Sequence, residues 1–139
     1  MDNPDLLRML KLASQGFQCA QILMILGLEA DDEENQGLIR ALGGLNVGLS
    51  DTSGPCGALT GGCCLISYFT GKGDELEIAE DNYTSMLSEY TSWFKQTHGH
   101  QLCIELLWGH IRNMNEICPA IVENSYLKAM EILTDNGVL

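Results

Sequence analysis

Six cysteines stand in this chain, at positions 19, 56, 63, 64, 103 and 118. A thiol that gives up its proton becomes a nucleophile, a metal ligand or one half of a disulfide. The spacing narrows the choice. No Cys-x-x-Cys pair occurs, which excludes the usual zinc knuckles and the thioredoxin-type redox pair. The ferredoxin spacings are missing as well. Any shared centre must be gathered from separate segments by the fold.

Residues 53–65, "SGPCGALTGGCCL", carry three of the six cysteines and four of the fifteen glycines. Glycine weakens a helix and adds nothing to a core, so something other than packing asks for it. Pro55 is suited to the first turn of a helix, which places Cys56 beside unpaired N–H groups and the positive end of the helix dipole. Both favour the thiolate. Gly54 and Gly57 let a second thiol, a ligand or another backbone come close. Gly57 and Gly61, four apart, form a groove for a neighbouring helix or for a cofactor, and are the candidate cofactor contacts. Cys63 follows Cys56 by two turns, roughly 10 Å along a helix axis. That is too far for a disulfide within one straight helix. Adjacent Cys63 and Cys64 point in different directions, and at least one of them reads as a small core filler. Cys19, Cys103 and Cys118 also fall near expected helix starts. Cys19, Cys56, Cys103 and Cys118 are therefore the candidate cluster, as catalytic thiols or as metal ligands.

These residues resemble a known family. "CGALTG", residues 56–61, matches the CGAxxG motif of the C_GCAxxG_C_C family of redox-active proteins. "FQCAQ", "HQLCIELLWG" and "NEICPAI" supply one cysteine before the motif and two after it. The resemblance runs from about Gly16 to Leu133. It implies a redox role resting on the four cysteines, and prokaryotic relatives encoded near transporters. It carries no substrate and no cofactor, and Cys63 and Cys64 fall outside its pattern.

Other constellations are weaker. His98, His100 and His110 lie near Cys103, but read better as polar residues at helix ends than as ligands. The acidic run "EADDEE" lacks the spacing of a calcium loop. Trp93 and Trp108 read as core anchors. No G-x-S-x-G is present, and "GGLNVG" is no dinucleotide fingerprint.

The elements that must position the cysteines read as helices throughout, with a Gly-rich loop ahead of the motif helix. The first starts at Asn3 as cap and Pro4 as first residue, and Gly16 ends it. Helices follow over residues 17–28, from Asp31 or Asp32 to Leu42, and over 56–70, after a loop at 43–54. The clearest periodicity covers 74–97, with Leu76, Ala79, Tyr83, Met86, Tyr90, Trp93 and Phe94 on one face. A short helix at 101–108, a further one at 109–116 and a last one at 119–134, opened by Pro119, complete an all-α bundle of five to seven helices.

The chain of 139 residues suits one domain with one core, spanning 1–139. Nineteen acidic against seven basic residues give a net charge of −12. That opposes nucleic-acid binding, which needs clustered Lys and Arg. "MDNPDLLRML" is no secretory signal, and no run suits a membrane span, so a cytosolic protein is expected. In a reducing compartment, cysteines more often mean metal or redox chemistry than staples. Two versions follow. The four thiols hold a metal ion or iron–sulfur cluster, or they exchange with the disulfide of a redox partner, with Cys56 attacking. The alternative is an acidic helical interaction module with structural cysteines. A homodimer through the Gly-rich groove is compatible with either.

Overall fold

The structure is a computed structural model that describes residues 4–139. Pro4 is the first residue of α1 (Pro4–Ser14), where its missing N–H costs nothing. The cap expected at Asn3 lies outside the described residues. Gly16, at φ +99°, ends the helix: its N–H reaches Ala13 O and the Phe17 N–H reaches Leu12 O. That pair of bonds needs a left-handed residue, which glycine supplies without strain.

α2 (Cys19–Ala30) is apolar nearly all round. It runs past the expected end, and Glu29 in its last turn pairs with Arg8 of α1 at 2.6 and 3.0 Å. The acidic run is thus a connector and not the start of a helix. Four successive carboxylates, residues 31–34, would crowd one turn with like charge. α3 (Gln36–Leu42) starts later, where Asn35 Oδ1 accepts the Leu38 N–H at 3.0 Å.

The expected loop at 43–54 contains a 3-10 turn, Gly43–Leu45, and a single turn over Asn46–Leu49. α4 (Gly57–Thr70) carries the motif, and α5 (Tyr83–His98) follows. The periodicity from residue 74 breaks down before Tyr83. Asp74 Oδ1 takes the N–H groups of Leu76 and Glu77 and closes a local turn. Leu76 and Ile78 are each 89% exposed. The short helix after "HGH" is one turn, α6 (Cys103–Leu106). A second 3-10 turn, Ile111–Asn113, leads into α7 (Met114–Asp135). That last helix begins five residues earlier than expected, so Pro119 sits inside it and removes one backbone bond, to the carbonyl of Asn115.

Among the described residues the fold is all-α, with seven helices of this set and one isolated antiparallel bridge, Pro55 to Leu102. α4 is the central helix, packed by α2, α5 and α7, while α1 lies across α7 and α2. Small residues make this possible. A Cβ on Gly61 would stand 2.9 Å from Ala20 Cα, so α2 and α4 meet almost backbone to backbone. On the other side of α4, the Tyr90 hydroxyl lies over Gly62 and donates to Ala58 O at 2.7 Å. Leu23, Leu65, Ile66, Tyr90, Phe94 and Leu133 are fully buried. Each contributes about 1.5–3 kcal/mol through burial.

Candidate thiol centre

Residues 52–56 and 101–104 run antiparallel and pin two cysteines. The Cys56 N–H donates to Gln101 O at 2.7 Å, and the Cys103 N–H donates to Gly54 O at 2.9 Å. Pro55 and Leu102 form the pair between these bonds, a slot that requires no N–H from proline. Side chains alternate along extended backbone. Pro55 and Leu102 thus take one face, and Cys56 and Cys103 share the other. Cys56 then caps α4, with its carbonyl accepting from Leu59 and Thr60. Cys103 opens α6.

Cys19 is the first residue of α2. Its sulfur rests on Gly57, where a Cβ would come within 2.3 Å of Sγ. Within the groove expected at Gly57 and Gly61, Gly57 therefore admits a thiol and lines the centre, while the space at Gly61 is filled by Ala20 of α2. The Val47 N–H points at Cys19 Sγ, 3.5 Å away.

Val47 belongs to an unusual segment. Val47, Gly48, Leu49 and Ser50 all have positive φ, between 55° and 76°. The Ser50 N–H bonds to Asn46 O at 2.8 Å, closing a left-handed turn. For L-residues this costs roughly 1–2 kcal/mol each. Packing holds the turn in place. A Cβ on Gly48 would lie 2.6 Å from Cys103 Cβ, so only glycine lets the turn approach that cysteine. Buried Asn46 anchors its start: Oδ1 accepts the Ala20 N–H at 3.0 Å and Nδ2 donates to Gln21 Oε1 at 2.9 Å. Nothing in the sequence marks Asn46, because a lone asparagine in a Gly-rich run looks like any turn residue.

Cys118 lies one residue before Pro119 within α7, in the second turn and not at the helix start. It nevertheless reaches the same place. Cys19, Cys56, Cys103 and Cys118 all line one cavity of about 410 Å³. Cys56 and Cys103, 8% and 6% exposed, lie deepest, and Cys19 and Cys118 are half-buried. All six cysteines are free thiols. Cys63 and Cys64 sit further along α4, half-buried and away from the cavity lining.

Burial controls the ionisation of Cys56, Cys103 and Cys118. Cys56 is pushed up to about 12, first by burial and then by charge on Cys19 and Cys103; the N–H groups of Ala58 and Leu59 pull the other way and lose. The expectation of an easily ionised Cys56 is therefore revised: desolvation outweighs the helix end. Cys118 is also pushed up to about 12, by burial first and then by Cys56, Cys19 and Cys103. Cys103 rises by burial and then by Cys19. Cys56 thus feels charge on two of the other three, and Cys118 on all three. Among the described residues, no group of three or more His, Cys, Asp or Glu side chains is arranged to hold a metal ion.

The other residues weighed in the sequence lie elsewhere. His98 ends α5 with its ring against Phe94 and Trp93, at 4.6 and 5.6 Å, and burial lowers its pKa. His100 faces Glu105 on the surface, and the His110 ring accepts the Arg112 N–H. Trp93 stacks on Tyr90, whereas Trp108 is exposed and no core anchor. No helix among the described residues is long and apolar enough to cross a membrane.

A helical scaffold that collects four cysteines from four segments, one of them in a Cys-Gly-Ala-x-x-Gly motif, defines a class of thiol protein. The family model described as "Putative redox-active protein (C_GCAxxG_C_C)" matches residues 17–132, and the chain belongs to that family. The family label writes the motif Gly-Cys-Ala; in this chain the order is Cys56, Gly57, Ala58. No curated protein and no solved structure matches the chain.

Proposed function

We propose that Cys19, Cys56, Cys103 and Cys118 form a thiol–disulfide exchange centre, in a protein of a reducing cytosolic compartment. The observation that carries this reading is the single cavity the four thiols share. Cys19 is the attacking residue in place of Cys56. It is half-exposed, stands at the start of a twelve-residue helix and already has a backbone N–H aimed at its sulfur. Deprotonated by solvent base, Cys19 attacks one sulfur of a partner disulfide. A new S–S bond forms, the partner's S–S bond breaks, and the leaving thiolate takes up a proton. Cys56, whose backbone adjoins the Gly57 on which Cys19 rests, then loses its proton and attacks Cys19 Sγ. The second partner thiol leaves, and a Cys19–Cys56 disulfide remains. Two electrons and two protons have passed to the partner. Cys103 and Cys118, against the same cavity, are the second pair.

A second reading rests on the charge opposition that Cys56 and Cys118 meet from the neighbouring thiols. A metal ion or iron–sulfur cluster would remove that repulsion, once the sulfurs had drawn together. One experiment addresses both. Free thiols are counted across a series of thiol–disulfide buffers, with metal analysis of protein purified without air. Exchange predicts reversible loss of four thiols in the native protein and of only two, Cys103 and Cys118, in Cys19→Ser, with Cys63 and Cys64 free throughout. Six thiols surviving at every potential would defeat it, and stoichiometric metal would favour the second reading.

A further inference from the structure

Resting on the exchange reading, the cavity also bears on which disulfides reach the thiols. Its floor is made by Met9, Ile22, Ile121 and Val122, all buried, around Cys56 and Cys103. Its mouth is made by Leu10, Ala13, Gln18 and Asn115, all exposed. Among the described residues, no Lys, Arg, Asp or Glu lines it at any depth. The volume of about 410 Å³ lies in the range of small-molecule sites.

From this we infer that the centre takes small, uncharged, apolar disulfides and turns away anionic ones. A carboxylate entering the cavity would leave water and find no cation to receive it. The net charge of −12 opposes its approach from a distance as well. An apolar disulfide meets neither obstacle, and its burial against Met9, Ile22 and Val122 favours it. The overall reaction balances: one R–S–S–R and two protein thiols give two R–SH and one protein disulfide. The apolar floor selects the substrate, while Cys19, part-way down, performs the attack.

The test compares two chromogenic reagents on the whole chain: neutral 2,2′-dithiodipyridine and dianionic 5,5′-dithiobis(2-nitrobenzoate). Each rate is divided by the rate for the same chain unfolded in urea, which removes intrinsic reactivity. The expected folded-to-unfolded ratio is higher for the neutral reagent by about tenfold or more. The difference should persist at about 1 M salt, where long-range repulsion is screened. Ala13→Lys, at an exposed helical position, should narrow the gap by speeding the dianion alone. Equal ratios, or a gap that vanishes in salt, would overturn the selectivity and leave the exchange reading standing. If Cys19 resisted both reagents in the folded protein, exchange itself would fall, and the selectivity with it.

Discussion

Cys56 and Cys103 are bound to one another's strand by backbone hydrogen bonds, through Gln101 O and Gly54 O, and so face the cavity from the same side of a two-stranded bridge. They are diagonal neighbours in that bridge. Such pairs stand about 7–8 Å apart at Cα, and a disulfide spans about 4.4–6.8 Å. Joining them directly would distort the bridge that positions both. Oxidation should therefore link Cys19 to Cys56 in preference to Cys56 to Cys103. Peptide mapping of the oxidised protein under non-reducing conditions checks this; a dominant Cys56–Cys103 peptide would mean that the bridge yields.

The two motif glycines should fail for different reasons. At Gly57 a methyl group would strike Cys19 Sγ, and at Gly61 it would strike the Ala20 backbone. Gly57→Ala and Gly61→Ala should each destabilise by roughly 1–3 kcal/mol through overpacking. Removing the sulfur with Cys19→Ala should recover part of the loss for Gly57→Ala and none for Gly61→Ala. Urea unfolding of the two double variants separates the cases. Equal recovery would show that the sulfur is not what Gly57 accommodates.

Much of this centre could be read from residue order. Pro55 and the glycines around Cys56 mark a helix start that the structure sets one residue later, at Gly57, with Cys56 as its cap and Pro55 in the bridge, while Cys19 and Cys103 each open a helix. Pro119 suits a first turn, so the sequence predicts a helix start at Cys118. The helix extends back to Met114, and tertiary packing absorbs the lost bond. The left-handed turn could not be read at all. Val47 and Leu49 are poor candidates for positive φ, and only the contacts of Val47 with Cys19, of Gly48 with Cys103 and of Leu49 with Gly54 explain why the chain accepts it. Low pKa at Cys56 failed for a similar reason, since local position says nothing of how deeply a thiol is buried.

Asn46 is the residue that ties this turn to Cys19's helix. Asn46→Ala would leave the Ala20 N–H buried without its acceptor, a loss of about 1–3 kcal/mol. The Val47 N–H would also lose its fixed position against Cys19 Sγ. Slower alkylation of Cys19 by neutral iodoacetamide, measured at a pH where the variant is fully folded, is the expected result. An unchanged rate would show that the hydrogen bond does not activate this sulfur.

The buried thiols should also make the fold sensitive to alkali. Cys56 and Cys118 are held up to about 12 in the folded chain, above the ~8.5 of a free thiol. Below the free-thiol value both states keep the proton, and the contribution to stability is fully present. As pH rises from there towards 12, the unfolded chain releases protons that the folded chain retains, so stability falls. The urea midpoint should drop between about pH 8.5 and pH 10.5. The drop should be smaller in the Cys56→Ala, Cys118→Ala double variant. Equal slopes would assign the alkaline loss to other groups.

The interrupted periodicity before α5 separates residues that look equivalent in sequence. Leu76 and Met86 fall on the same expected apolar face, yet Leu76 is 89% exposed and Met86 is 1% exposed. The cause is local. Asp74 ties back the N–H groups of Leu76 and Glu77, and the Glu80 N–H bonds to Thr70 O, so the segment turns against the end of α4 before a helix can form. Leu76→Ser and Ile78→Ser should shift stability by no more than about 0.5 kcal/mol. Met86→Ala should cost about 2–5 kcal/mol. Thermal unfolding of the three variants distinguishes the two environments, and a loss at Leu76 comparable to that at Met86 would place residue 76 in the core after all.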